Sequence, residues 1–296
     1  MIVPASPFSA ARRRAVTVPQ GTIAGYEFGP ADRPLDVLFL HANGFNAGTY
    51  ADILSPLADR LRILAVDQRG HGRTTLPAEP EGHDAWMVFR DDLLTLLDVL
   101  GETPTVLSGH SMGGTVGLHA AAVRADAARR LVLFDPVIVT PERVAAAGPD
   151  GMKNSPLAMG ARRRRSSFAS REEAFQAYDG RGAFRTWSEA NLRDYLVDGL
   201  IEGDDGQVHL SCRPEWEAAN FSADHHDPVG AFERARQSIR ILKAEVGSTC
   251  GIEGYEARVL GDGHVRMEVI AGTSHFLPME RPELVRAALL DAALAV

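Results

Sequence analysis

Short runs of apolar residues alternate along the chain with segments whose apolar positions recur at helical spacing. Val37-Leu38-Phe39-Leu40 and Ile63-Leu64-Ala65-Val66 read as buried strands, as do Thr105-Val106-Leu107 and Leu131-Val132-Leu133-Phe134. Ile239 to Leu242 and Val265 to Ile270 continue the series in the last third. Wholly apolar strands fit a sheet covered on both faces. Between them Phe89, Leu93, Leu96, Leu97 and Leu100 fall at helical spacing, with Asp91, Asp92 and Asp98 interspersed. Pro282 stands just inside a last helix carrying Leu284, Val285, Ala288 and Leu289. Strand and helix in alternation predict βαβ units and a mostly parallel sheet.

From 136 to 236 the alternation stops. This stretch is polar and dotted with aromatics, and it reads as helical from Arg171 to Tyr178 and from Ser188 to Leu200. Because sheet strands flank it, it is expected to be a helical cap inserted into a core formed by 1–135 and 237–296. Such a cap excludes water and shapes a pocket. Its run Arg162-Arg163-Arg164-Arg165 is expected to be a solvated face.

At 296 residues the chain is long enough for one large core with an insertion. The formal charge of -8 argues against nucleic acid as a partner. Two cysteines, Cys212 and Cys250, make no disulfide framework, which points to a reducing compartment. The opening MIVPASPFSAARRRAV lacks the apolar core of a secretory leader, and no stretch approaches the roughly 20 apolar residues that span a bilayer. A cytoplasmic protein with a small-molecule substrate and no membrane partner is expected; nothing in the sequence sets its oligomeric state.

Gly109-His110-Ser111-Met112-Gly113 fits G-x-S-x-G, and it lies between a strand and the helix expected from Thr115 to Arg124. A turn this sharp forces the serine into strained backbone, and the flanking glycines let neighbouring backbone pass. The hydroxyl is then presented at the positive end of a helix. A serine nucleophile needs a base, and His275 follows the last strand, on a loop that meets Ser111 above the carboxyl ends of the sheet. The metal-like composition of His225-His226-Asp227 has no second half, and no metal or cofactor is expected.

With these pieces the chain resembles the α/β-hydrolase superfamily, in its capped group with fold-1 esterases, haloalkane dehalogenases and C–C hydrolases. Leu40-His41-Ala42-Asn43-Gly44-Phe45, Asp67-Gln68-Arg69-Gly70-His71-Gly72, the serine turn, and Gly272-Thr273-Ser274-His275-Phe276 with Glu280-Arg281-Pro282 appear in the family's order. The resemblance implies a mostly parallel eight-stranded sheet with helices on both faces. It implies structural roles for His41 and His71, and oxyanion donors at the amides of Met112 and Asn43, with Ala42 where a glycine is usual. The Asn43 side chain is a further candidate to reach the pocket.

The acid departs from the usual pattern. Most relatives carry it after the strand that follows the cap, where this chain reads Ala244-Glu245-Val246-Gly247-Ser248, with glycine at the aspartate's place. Asp135, ending a strand in Phe134-Asp135-Pro136, is the first candidate, with Glu245, then Asp227 and Asp262, as alternatives. The resemblance implies hydrolysis of an ester, lactone or thioester through an acyl-enzyme. C–C bond hydrolysis or cofactor-free perhydrolysis on the same residues is the alternative, and ligand binding without turnover the third. In the cap, Phe168, Tyr178, Phe184, Trp187, Tyr195 and Trp216 are candidates to face the substrate.

Overall fold

The computed structural model describes residue 8 and residues 11–148, 150–223 and 226–295. The strands are β1 (Ala11–Val18), β2 (Gly21–Phe28), β3 (Val37–Leu40), β4 (Ile63–Val66), β5 (Val106–His110), β6 (Arg130–Phe134), β7 (Ser167–Phe168), β8 (Leu200–Glu202), β9 (Val208–Leu210), β10 (Ser238–Val246) and β11 (Val265–Ser274). Eight of them form one sheet in the order β1-β2-β4-β3-β5-β6-β10-β11. From β4 to β11 the neighbours run parallel. β1 and β2 add an antiparallel edge.

That hairpin is not legible in the apolar pattern. β1, ARRRAVTV, buries only Val16 and Val18, because an edge strand has one half-covered face.

Helices α1 (Ala51–Leu54), α2 (Met87–Leu100), α3 (Met112–Val123), α4 (Pro141–Ala147), α5 (Pro156–Arg162), α6 (Arg171–Tyr178), α7 (Glu189–Gly199), α8 (Pro214–Ser222), α9 (Pro228–Arg234), α10 (Glu256–Leu260), α11 (Leu277–Glu280) and α12 (Pro282–Leu294) complete the chain. Side chains alternate across each strand, so β3 divides between two cores. Val37 and Phe39 pack with α1 and α12, while Leu38 and Leu40 pack with α2 and α3. The expected stripe Phe89, Leu93, Leu96 and Leu97 is buried, and Gly101, at φ 64°, ends that helix in the left-handed conformation.

After β4 the chain crosses to the other side of β3, so the strand order reverses between β3 and β5. The loops leaving the carboxyl ends of these two strands therefore open a crevice, the place where open α/β sheets hold ligands.

The segment between β6 and β10 carries α4 to α9 and also a small antiparallel sheet, β7-β9-β8, where the sequence pattern suggested helix alone. These strands are two or three residues long, too short for a period-2 signal. Asp198, wholly buried at the end of α7, fastens the segment to the sheet. It accepts both Arg13 nitrogens at 3.0 and 3.1 Å, Tyr26 Oη at 2.5 Å and Arg73 Nε at 2.9 Å. Burial would raise its carboxyl, but these donors hold it below the ordinary range.

One turn earlier Asp194 lacks such support. Its Oδ2 has no partner among the described residues, and burial, then the charge of Asp52, pushes it up to about 7. An acid whose folded pKa is raised loses stability as pH climbs from the unfolded value to the folded one. Asp194→Asn is therefore expected to melt higher than the parent at pH 8. The gap should narrow towards pH 4, which paired thermal melts will read.

Candidate active site

β5 ends at His110 and α3 begins at Met112, leaving Ser111 alone in the bend at φ 55°, ψ -123°. Among the described residues only Ser111 and Asp135 (φ 41°) are non-glycines in this left-handed region, where a side chain strains the backbone. A Cβ on Gly109 would stand 2.5 Å from the Gly113 carbonyl carbon. One on Gly113 would stand 2.4 Å from the Leu40 oxygen. The bend thus closes only with glycine at both places, and the Ser111 amide is tied to the Phe134 carbonyl at 3.0 Å.

The structure brings Ser111, His275 and Asp135 together. His275, following β11, sets Nε2 3.0 Å from Ser111 Oγ and Nδ1 2.6 Å from Asp135 Oδ2. Asp135 is fully buried and richly held. It accepts the Ala244 amide at 2.9 Å, Ser248 Oγ at 2.5 Å and the Thr249 amide at 3.0 Å. Burial would raise its carboxyl, but the hydrogen bond and charge of His275, then Ser248 and Ala244, keep it below the usual carboxylate range.

The segment after β10, where an acid is usual, thus supplies donors to an acid from the neighbouring strand. Sequence reading missed Ser248 and Thr249; the glycine followed by two hydroxyl residues was the available signal. The alternatives lie elsewhere. Glu245 accepts the Gly272 amide at 2.8 Å, Asp227 caps α9, and Asp262 pairs with His264. His225 lies outside the described residues.

The Met112 amide opens α3 and is one of the donors a helix leaves without an internal partner. The loop carrying Asn43 turns through Phe45 N to Ala42 O at 3.1 Å. His71 Nε2 supports it by accepting the Gly44 amide at 3.0 Å. The Asn43 side chain does not reach over the serine. Its Nδ2 donates to Glu217 O at 3.0 Å and its Oδ1 accepts Asn220 Nδ2 at 2.9 Å, so both ends are bound to α8.

His41 Nε2 accepts the Gln68 amide at 2.8 Å, and burial keeps its ring and that of His71 neutral, His71 at about 4. Burial likewise pushes Cys250 up to about 12 and Cys212 far above its ordinary value, so neither thiol offers a thiolate.

His110 is completely buried beside the serine. A carbonyl oxygen can only accept, so the 2.8 Å contact to His275 O fixes the proton on His110 Nε2. Nδ1 then accepts Tyr50 Oη–H at 2.8 Å, and Tyr50 Oη accepts the Ala42 amide at 3.2 Å. One hydrogen-bonded chain thereby joins the Asn43 loop to the backbone of His275. Burial, then the charge of His275, lowers His110 to about 3, so the chain keeps this polarity at neutral pH.

The candidate aromatics divide. Tyr178, Phe184, Trp187 and Tyr195 form a continuous wall with Phe45 and Phe276, and Phe276 reaches the His275 ring at 5.7 Å. Trp216 donates to Arg69 O at 3.0 Å on the far side of α8, and Phe168 packs behind Tyr178.

Among curated proteins, the chain is 36% identical over 206 residues to the sn-1-specific diacylglycerol lipase ABHD11 of Mus musculus, covering 68% of this chain and 61% of the lipase. It is 34% identical over 99 residues to the 2-(acetamidomethylene)succinate hydrolase of Mesorhizobium japonicum, covering 33% of this chain and 34% of that hydrolase. The matched stretches thus span about a third to three-fifths of these relatives. Among solved structures, that of E-2-(acetamidomethylene)succinate hydrolase superposes with a TM-score of 0.77 at 22% identity, over 95% of this chain and 98% of that one. With the sheet order, the serine bend and a match to the family profile over residues 37–288, the chain belongs to the alpha/beta hydrolase family.

Proposed function

We propose that the protein is a serine hydrolase that cleaves a small-molecule carboxylic ester, lactone or thioester through an acyl-enzyme on Ser111. The observation that carries this reading is the pair of contacts Ser111 Oγ–His275 Nε2 at 3.0 Å and His275 Nδ1–Asp135 Oδ2 at 2.6 Å. Asp135 accepts a hydrogen bond from Nδ1–H, which keeps the ring proton there and leaves Nε2 with a lone pair towards the hydroxyl.

As Oγ attacks the carbonyl carbon, its proton passes to Nε2. The oxygen that becomes negative lies between the Met112 and Asn43 amides, each such donor contributing roughly 3–4 kcal/mol. Collapse expels the alcohol or thiol, which leaves with the proton from Nε2. Water then repeats the sequence and releases the acid. A serine at this bend separates the chain from relatives that form an alkyl-enzyme on a carboxylate. The contact of Asp135 with His275 supports turnover over ligand binding alone. The segment 136–236 acts as the cap that keeps water from the acyl-enzyme.

A fluorophosphonate probe tests the reading. Intact-protein and peptide mass spectrometry should find one adduct, on Ser111, and His275→Ala should suppress it. A folded protein left unmodified at high probe concentration would refute the nucleophile. The two curated relatives named above act on a succinate derivative and on a diacylglycerol, molecules of unlike chemistry, so the acyl group must be read from this chain's own cap.

A further inference from the structure

Of the four consecutive arginines, Arg162, Arg163 and Arg165 are exposed, but Arg164 turns inward, contrary to the solvated face expected of the run. Its Nη1 donates to Glu217 Oε2 at 2.5 Å, and its Nη2 donates to Tyr195 Oη at 2.9 Å and Tyr178 Oη at 3.3 Å. These bonds use three of the five N–H groups of a guanidinium. Each tyrosine oxygen accepts from the arginine, so each hydroxyl still has its own proton to give. Among the described residues neither finds an acceptor. Tyr195 is 2% exposed, so that proton is shut off from bulk water, while the Arg164 side chain keeps 19% of its surface open. The cluster therefore holds a surplus of donors around a single carboxylate.

It also lies beside the loop that carries Asn43. A Cβ on Gly44, the neighbour of Asn43, would stand 2.5 Å from Glu217 Oε1 and 3.4 Å from Arg164 Nη1. Ring contacts run from Tyr195 to Phe45 at 5.9 Å, from Phe45 to Phe276 at 6.3 Å and from Phe276 to His275 at 5.7 Å. An aromatic wall thus leads from His275 to a donor-rich end.

We propose that Arg164, Tyr178 and Tyr195 bind a carboxylate carried by the acyl part of the substrate, which makes the preferred substrate a half-ester or half-thioester of a dicarboxylic acid. This rests on the serine hydrolase reading. A guanidinium fork with flanking hydroxyl donors matches the lone pairs of a carboxylate. Glu217 neutralises and anchors the buried cation while the subsite is empty.

The test uses p-nitrophenyl half-esters of C4 to C8 dicarboxylic acids, each against the p-nitrophenyl ester of the monocarboxylic acid of equal length. At the best length the half-ester should lead in kcat/KM by roughly ten- to hundredfold. Tyr195→Phe and Arg164→Gln should shrink that ratio through a higher KM for the half-ester. Glu217→Gln, which keeps a partner for Arg164 but removes a negative charge, should enlarge it. Taking the ratio within each variant cancels any loss of folded enzyme. No preference at any length, or a preference that survives both Tyr195→Phe and Arg164→Gln, overturns the subsite. If no ester of either kind is cleaved, the hydrolase reading fails. Calorimetry of Ser111→Ala with the free C4 to C8 dicarboxylates then decides the subsite alone: binding that Tyr195→Phe abolishes supports it, and absent binding overturns it.

Discussion

Exchanging Asp135 for asparagine is expected to lower turnover about 10⁴-fold, while Glu245→Gln leaves it within a small factor. The carboxylate accepts a hydrogen bond from His275 Nδ1–H at 2.6 Å, keeping the ring proton on Nδ1, and so leaves Nε2 bare towards Ser111. An amide of the same shape can donate to Nδ1 instead. It then favours the tautomer protonated at Nε2, which cannot accept the serine proton. It also removes the buried negative charge that would stabilise the imidazolium. Glu245 holds the Gly272 amide on an exposed stretch and touches neither ring nor serine.

Asparagine further places an NH₂ among the Ala244, Ser248 and Thr249 donors, so the variant should melt lower. The sign with pH follows from the direction of the Asp135 shift. A carboxyl held below its unfolded value, near 3.9 in model peptides, contributes stability above that pH and loses it as pH falls through the folded value. The melting gap between parent and variant should therefore close under strong acid. Kinetics on an activated ester and melts at pH 7 and pH 3 check both halves. A fully active Asp135→Asn beside a crippled Glu245→Gln would move the acid to Glu245.

How far the sequence reveals this arrangement depends on the range of each interaction. Ser111 was legible because its cause is local: two glycines, a strand before and a helix after, all within ten residues. His275 was legible because parallel strands deliver their following loops to one edge. Asp135 was only the first of several candidates. An Asp-Pro at a strand end turns a chain as readily as it serves a histidine, and what decides is contact with residues more than 100 positions away.

Ser248 and Thr249 escaped notice because they act as donors across a strand pair, which no periodicity records. The Tyr50–His110 chain was hidden for the same reason. Arg164 shows the limit of composition. Four like charges in a row predict a wet face, yet α5 ends at Arg162, and in the turn beyond it, where the Arg164 amide bonds to Ala161 O at 3.0 Å, the Arg164 side chain points inward. The strands β7 to β9 are too short to write a pattern at all.

Replacing Ser111 with alanine should be the deeper loss, about 10⁶-fold in kcat, and it should absorb the loss at Asp135 rather than add to it. With Oγ gone, His275 has no proton to take and its tautomer no longer matters, so Ser111→Ala and Ser111→Ala/Asp135→Asn should be equally slow. Independent contributions would instead multiply to about 10¹⁰-fold, below any measurable rate. What should survive in both variants is the work expected of the backbone amides proposed as donors at Met112 and Asn43, roughly 10³- to 10⁴-fold above water in comparable triads. These donors need neither side chain, since the bend is set by Gly109 and Gly113 and by the bond from the residue 111 amide to Phe134 O at 3.0 Å. Single-turnover kinetics on a p-nitrophenyl ester, with circular dichroism to confirm the fold, read the comparison directly. A double variant markedly slower than Ser111→Ala would mean that Asp135 acts on the reaction by a route that bypasses the serine, and the three residues would not form one catalytic unit.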